Sequence, residues 1–181
     1  LRLLIQETSV EEIKELLEIN PKDSRLSFAL GSTYMSQGEF VKAQEYLQNT
    51  LSIHPEFYDC YIALAWCQLL NNQASEAHET YQNAITLIDS LAEGWGGLAL
   101  IHALNNDLEN AQKLIDRALS LSSECFLTKM AQVVFLNYSN PEQASKDFLQ
   151  MITNQQTPLS QKLALIIEYI DAEIDMETAI H

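Results

Sequence analysis

Three glycines crowd one short stretch, "LAEGWGGLAL" at residues 91–100, where Gly94, Gly96 and Gly97 bracket Trp95. A glycine-rich loop cradles phosphate when a strand precedes it and its backbone amides lie open at a helix N-terminus. No strand pattern leads into this stretch, so its spacing does not carry that chemistry. The histidines, His54, His78, His102 and His181, include no pair at i, i+3 or i+4, and the sequence implies no metal site. Cys60, Cys67 and Cys125 lack a CxxC spacing, and an odd count at wide intervals is no disulfide framework. Cys60 and Cys67 stand two rungs apart on one helix face, too far for a bridge. They read as buried, reduced thiols of a reducing compartment. No serine occupies a nucleophile elbow. Acidic pairs such as Glu11–Glu12 read as solvated helix faces. "NYS" at Asn137 matches a glycosylation sequon, a pattern short enough to arise by chance. The expectation is a non-enzymatic protein with no catalytic residue, no cofactor and no metal.

The elements that hold these residues follow from composition and periodicity. The chain has 181 residues, 47% of them apolar, with only four prolines and five glycines. That is enough for one domain with a sizeable core, and it predicts long helices with few turns. A formal charge of −15 argues against nucleic acid and against anionic lipid surfaces. It leaves either a solvated acidic exterior or a basic partner. No run of about 18 apolar residues is present, so no membrane insertion is expected. The chain begins at Leu1 rather than Met, which reads as a fragment and leaves an earlier targeting segment open.

A repeat of 34 residues organises the middle of the chain. Ala43, Ala77 and Ala111 keep this step, as do Leu30, Leu64 and Leu98, and Gly31, Ala65 and Ala99. Leu47, Tyr81 and Ile115 keep it with larger side chains, and Pro21 and Pro55 mark two of the junctions. Each unit reads as two helices joined by a short turn, "SQGEF", "NNQAS" or "NNDLE". Small residues fall where paired helices approach, and large ones fill the spaces between units.

This pattern resembles the tetratricopeptide repeat family. Leu30, Gly31, Tyr34, Gly38, Phe40, Ala43, Leu47 and Pro55 carry the match in the first full unit. Tyr61, Leu64, Ala65, Ala77, Tyr81 and Ala84 carry it in the second, and Trp95, Leu98, Ala99, Leu108, Ala111, Ala118 and Leu119 in the third. Thr50, Gln68 and His102 depart from it, the first at an alanine slot and the other two at aromatic slots. The resemblance implies an all-α, right-handed α-solenoid of antiparallel helix pairs. Its division would be a partial repeat over 1–23, full repeats over 24–57, 58–91 and 92–125, a degenerate repeat over 126–156 and a capping helix over 157–181. At the start, Thr8 and Glu11 form a capping box, with Leu1–Gln6 as the stub of an earlier helix. Asn140–Pro141 opens a late helix in which Ala144 is the small residue. Thr157–Pro158 opens the last, with Leu159, Leu163, Ile166, Ile170 and Ile174 as its apolar stripe over an acidic remainder.

The resemblance further implies that the first helix of each unit lines a concave groove through its positions 2, 5, 9 and 12. Those positions hold Arg25, Asp59 and Glu93; Phe28, Ile62 and Gly96; Ser32, Trp66 and Leu100; Met35, Leu69 and Ala103. The Lys, Asn and Arg clamp with which co-chaperone members hold a terminal carboxylate is missing. An unpartnered carboxylate buried here would cost several kcal/mol. An apolar peptide or an amphipathic helix suits the surface better, with Asp59 and Glu93 ready for a ligand Lys or Arg. The same side chains could instead pack against their neighbours. Gly96 leaves two readings open, a gap in the groove wall or a tight helix contact. The function expected is recognition of a protein or peptide partner, similar to that of bacterial secretion chaperones or adaptors of this architecture. Two alternatives stand beside it: a scaffold that self-associates as a homo-oligomer, and a regulatory domain cut from a larger protein.

Overall fold

The computed structural model describes residues 10–154. The capping box at Thr8, the stub over residues 1–6 and the final helix after Thr157 lie outside the described residues. Among those described there are helices and turns and no strand. The helices are α1 (Val10–Ile19), α2 (Ser24–Ser36), α3 (Phe40–Ile53), α4 (Tyr58–Leu70), α5 (Ala74–Leu87), α6 (Ala92–Leu104), α7 (Leu108–Leu121), α8 (Phe126–Asn137) and α9 (Pro141–Asn154). Two compact units are distinguished, Leu1–Phe135 and Leu136–His181. The first is an all-α helical-repeat solenoid. In it each helix from α1 to α7 packs chiefly on its neighbours in the chain, and α2, α4 and α6 also meet in succession. In the second unit, α9 begins at Pro141, and the Gln143 amide donates to Asn140 Oδ1 at 3.2 Å.

The turn inside each repeat explains the regular helix lengths. Gly38, Asn72 and Asn106 adopt positive φ, at 79°, 59° and 57°. Glycine reaches this left-handed region freely, and asparagine tolerates it better than other residues. The Glu39, Gln73 and Asp107 amides then reach back to the carbonyls of Tyr34, Gln68 and His102 at 2.9–3.0 Å. This six-to-one bond is the Schellman closure of a helix C-terminus. It ends the first helix at the same register three times and aims the second helix back along it.

Packing is set by pairs of small and large residues. Leu47 is fully buried, and a Cβ added to Gly31 would lie 2.8 Å from its Cγ. Tyr81 is fully buried, and a Cβ added to Gly97 would overlap its ring atoms Cε1 and Cζ. Ala63 and Ala131 hold the slot of Gly97 in the neighbouring units. The smaller residue thus sits where the larger ring arrives, since Leu47 and Ile115 are the counterparts of Tyr81. Several buried polar side chains are paired within the same scheme. Ser27 Oγ donates to the Tyr46 carbonyl at 2.8 Å, and Thr50 Oγ1 donates to it at 2.9 Å. Gln44 Nε2 donates to Gln73 Oε1 at 2.8 Å, tying one repeat to the next.

Gly97→Ala is therefore expected to lose about 1–3 kcal/mol in urea unfolding, although alanine is the better helix former by roughly 1 kcal/mol. Gly94→Ala meets the Ile85 side chain at 2.8 Å from Cγ1 and Tyr58 Oη at 3.6 Å, neither of them an aromatic ring face. It is expected to cost less than Gly97→Ala in the same unfolding, the gain in helix propensity of about 1 kcal/mol offsetting a shift of Ile85.

Candidate functional site

The groove candidates all lie in the first unit, on α2, α4 and α6. Their environments differ along the chain. On α2, Phe28, Ser32 and Met35 are half-buried, with Phe28 and Met35 resting on the core. The Phe28 ring meets that of Phe57 at 4.7 Å, and Phe57 meets His54 at 5.5 Å. On α4, Ile62 and Leu69 are half-buried and share one face of the helix. Trp66 lies between them in the same stripe but is buried, its ring edge-on to Phe126 at 6.3 Å. On α6, Gly96 and Leu100 are buried.

Gly96 is closed off. A Cβ there would stand 2.7 Å from both the backbone nitrogen and Oγ1 of Thr128, at the start of α8. The gap in the groove wall offered by the sequence is filled by the backbone of the next helix. The absent side chain leaves a close helix contact, not a pocket. Trp66 and Phe126 meet in the same region, from helices on either side of α6. The apolar candidates are thus half-buried on α2 and α4, Trp66 apart, and buried on α6.

The charged positions are simply arranged. Arg25 is exposed, but its guanidinium is held by Asp23, with Nη2 to Oδ2 at 3.1 Å and Nε to Oδ1 at 3.3 Å. The bond from Arg25 holds the Asp23 carboxyl below its usual range. Asp23 also caps α2 by accepting from the Arg25 and Leu26 amides. Asp59 and Glu93 are exposed in the first turns of α4 and α6.

The tryptophan and the remaining glycines are structural. Trp95 Nε1 donates to the Asp89 carbonyl at 2.8 Å, and Arg117 lies over its ring at 5.5 Å. Leu91 precedes α6 and offers no side-chain cap, so the Gly94 amide donates instead to Tyr58 Oη at 3.2 Å. Burial pushes the Tyr58 phenol up to about 12. Burial likewise pushes the Cys60 and Cys67 thiols up to about 12, and all three cysteines are buried and free.

Models of the tetratricopeptide repeat match residues 34–89 and 92–125. The chain belongs to the tetratricopeptide repeat family. The tetratricopeptide repeat family consists in general of non-catalytic scaffolds for protein interaction, and this chain is a protein-interaction module. Its fold is shared by solved structures. A crystal structure of MamA protein aligns with a TM-score of 0.63 at 19% identity, over 80% of this chain and 79% of that one. The crystal structure of the APC/C hetero-tetramer Cut9–Hcn1 aligns at 0.68 and 18%, over 80% of this chain but 29% of that one. The first tetratricopeptide domain of Spaghetti (RPAP3), bound to the HSP90 peptide SRMEEVD, aligns at 0.57 and 16%, over 65% and 94%. At such identities the likeness is one of fold. No curated protein matches the sequence. Among the described residues of this tetratricopeptide repeat protein, no helix is long and apolar enough to cross a membrane.

Two tyrosines separate the structural roles of their hydroxyls. Tyr58→Phe strands the buried Gly94 amide and is expected to cost about 1–3 kcal/mol. Tyr81 Oη is buried with no hydrogen-bond partner among the described residues, so Tyr81→Phe is expected to be neutral or stabilising. Chemical unfolding of both variants checks the contrast. The folded core holds Cys60, Cys67 and Tyr58 in their neutral forms, so the unfolded chain releases these protons first as pH rises. Stability is then full below about pH 9 and falls between about 9 and 12, and Cys67→Ala shallows that fall in thermal scans.

Proposed function

We propose that the module holds an apolar, neutral-to-basic peptide segment, extended or as an amphipathic helix, on the face shared by α2 and α4. The observation that carries this reading is that the apolar residues Phe28, Met35, Ile62 and Leu69, with Ser32, are half-buried and not fully packed away. Side chains in this state are shaped by the fold yet still offer surface to a ligand. Covering them would supply on the order of 1 kcal/mol or more each. The charges favour the same class of ligand. Arg25 is neutralised by Asp23, while Asp59 and Glu93 are free to meet a Lys or Arg. A net charge of −15 repels an acidic ligand such as the one carried by the Spaghetti domain. The biological role that fits is that of a chaperone or adaptor holding a segment of a client. Of the groove residues, Trp66, Gly96 and Leu100 serve this role as packing beneath or beside the half-buried ones.

Fluorescence anisotropy with two labelled peptides tests the reading. An apolar peptide bearing one Lys is expected to bind, and SRMEEVD is expected to bind at least about tenfold more weakly. Ile62→Glu and Leu69→Glu are expected to weaken the apolar peptide by about tenfold or more. Asp59→Asn is expected to weaken it only while its Lys is present. Equal binding of both peptides, or unchanged binding by folded Ile62→Glu and Leu69→Glu, overturns the proposal.

A further inference from the structure

The fold brings together two histidines that stand 24 positions apart in the sequence, His78 on α5 and His102 on α6. Their ring centres are 5.7 Å apart, with planes at 66°. Both side chains are half-buried, so the pair is reachable from solvent. His102 is oriented by a third group. Its Nδ1 lies 2.8 Å from Asp107 Oδ2, at the N-terminus of α7. An ionised carboxylate only accepts, so Nδ1 carries the proton and donates it. Nε2 of His102 is left outside this bond.

We propose that His78 and His102 form a binding site for one exchangeable divalent transition-metal ion of the zinc class. Three observations converge on it. Two imidazoles sharing one ion, each through a nitrogen about 2.0–2.1 Å from it, have ring centres roughly 5–6.5 Å apart, and the observed spacing falls inside that window. The carboxylate on the far nitrogen of His102 is the outer-shell partner that metal-bound histidines usually have, fixing the tautomer and raising ligand basicity. The strongly acidic chain concentrates cations around itself. Imidazole nitrogen suits zinc, copper and nickel rather than calcium or magnesium. Among the described residues no group of three or more His, Cys, Asp or Glu is placed to hold an ion. The protein therefore supplies two ligands and leaves the remaining positions to water, which makes the site exchangeable and not a closed structural centre. Because α5 and α6 belong to successive repeats, an ion held here ties the repeats to each other.

Calorimetric titration of the tag-free chain with zinc chloride tests the site, beside thermal unfolding with and without the metal. The wild type is expected to bind one ion and to unfold at a higher temperature when loaded. His78→Ala and His102→Ala are each expected to abolish both effects. Asp107→Asn keeps the two ligands and loses the orienting charge, and is expected to bind about 10–100-fold more weakly. On the wild type alone, zinc is expected to protect His78 and His102 from acylation by diethyl pyrocarbonate while leaving exposed His54 reactive. The absence of one-to-one binding, wild-type binding by folded His78→Ala and His102→Ala, or equal acylation at all three histidines with and without zinc overturns the proposal.

Discussion

Every feature of the first unit depends on how closely neighbouring helices can approach. A single helix pair cannot bury its apolar face alone and must lean on the next pair. The contact between Gly97 and the ring of Tyr81 shows what this requires. Volume is shared across the boundary: where one repeat presents a tyrosine in place of leucine or isoleucine, its neighbour withdraws a methyl group. The interior is close-packed, so neither change is tolerable without the other. The Schellman turns at Gly38, Asn72 and Asn106 serve the same constraint, because a helix ending one residue later would carry its partner's large side chain out of register.

The constraint also limits where a ligand can sit. At Gly96 the approach of α8 is so close that backbone fills the place of a side chain. Trp66, one of the groove positions read from the sequence, faces Phe126 instead. A tryptophan that is 7% exposed has already spent most of its apolar surface on the fold. The apolar candidates left half-buried stand on α2 and α4. Packing thus decides the extent of the candidate surface, and Asp59 and Glu93 stand exposed beside it.

The 34-residue step, the turns and the fold class were legible because each repeat restates them. Glycine or asparagine at one recurring position needs no partner elsewhere to be understood. The candidate site was legible only in part. Which first-helix side chains stay accessible depends on the neighbouring repeat, and position alone does not report it. Ile62 and Trp66 occupy one stripe of α4, yet one is half-buried and the other buried. Gly96 could not be resolved from its own position, because its meaning lies in the Thr128 backbone. The pairing of Trp66 with Phe126 joins residues 60 positions apart, across an intervening repeat. His78 and His102 escape a search for i, i+3 or i+4 spacing, since they face each other from different helices. A search at repeat-to-repeat offsets, comparing one unit's second helix with the next unit's first, would have raised that pair.

The departures from the family pattern follow the same logic of shared contacts. In the first full repeat the aromatic slot holds Tyr34, which stacks on Tyr46 at 5.6 Å. One repeat later both positions change together: Gln68 replaces the first ring, Thr80 replaces the second, and Thr80 Oγ1 donates to Gln68 Oε1 at 2.8 Å. The stack has become a hydrogen bond between the same two positions, and neither polar group is left unpartnered in the core. In the third repeat the exchange is incomplete. His102 takes the first position, but the second holds Leu114, which offers no polar atom. A half-buried imidazole must then find partners elsewhere. It turns to Asp107 at the head of its own second helix and to His78 in the repeat before it. The unusual histidine pair is thus a consequence of one uncompensated substitution at a packing position. The repeat supplied the geometry, and a single leucine left the imidazole free to use it.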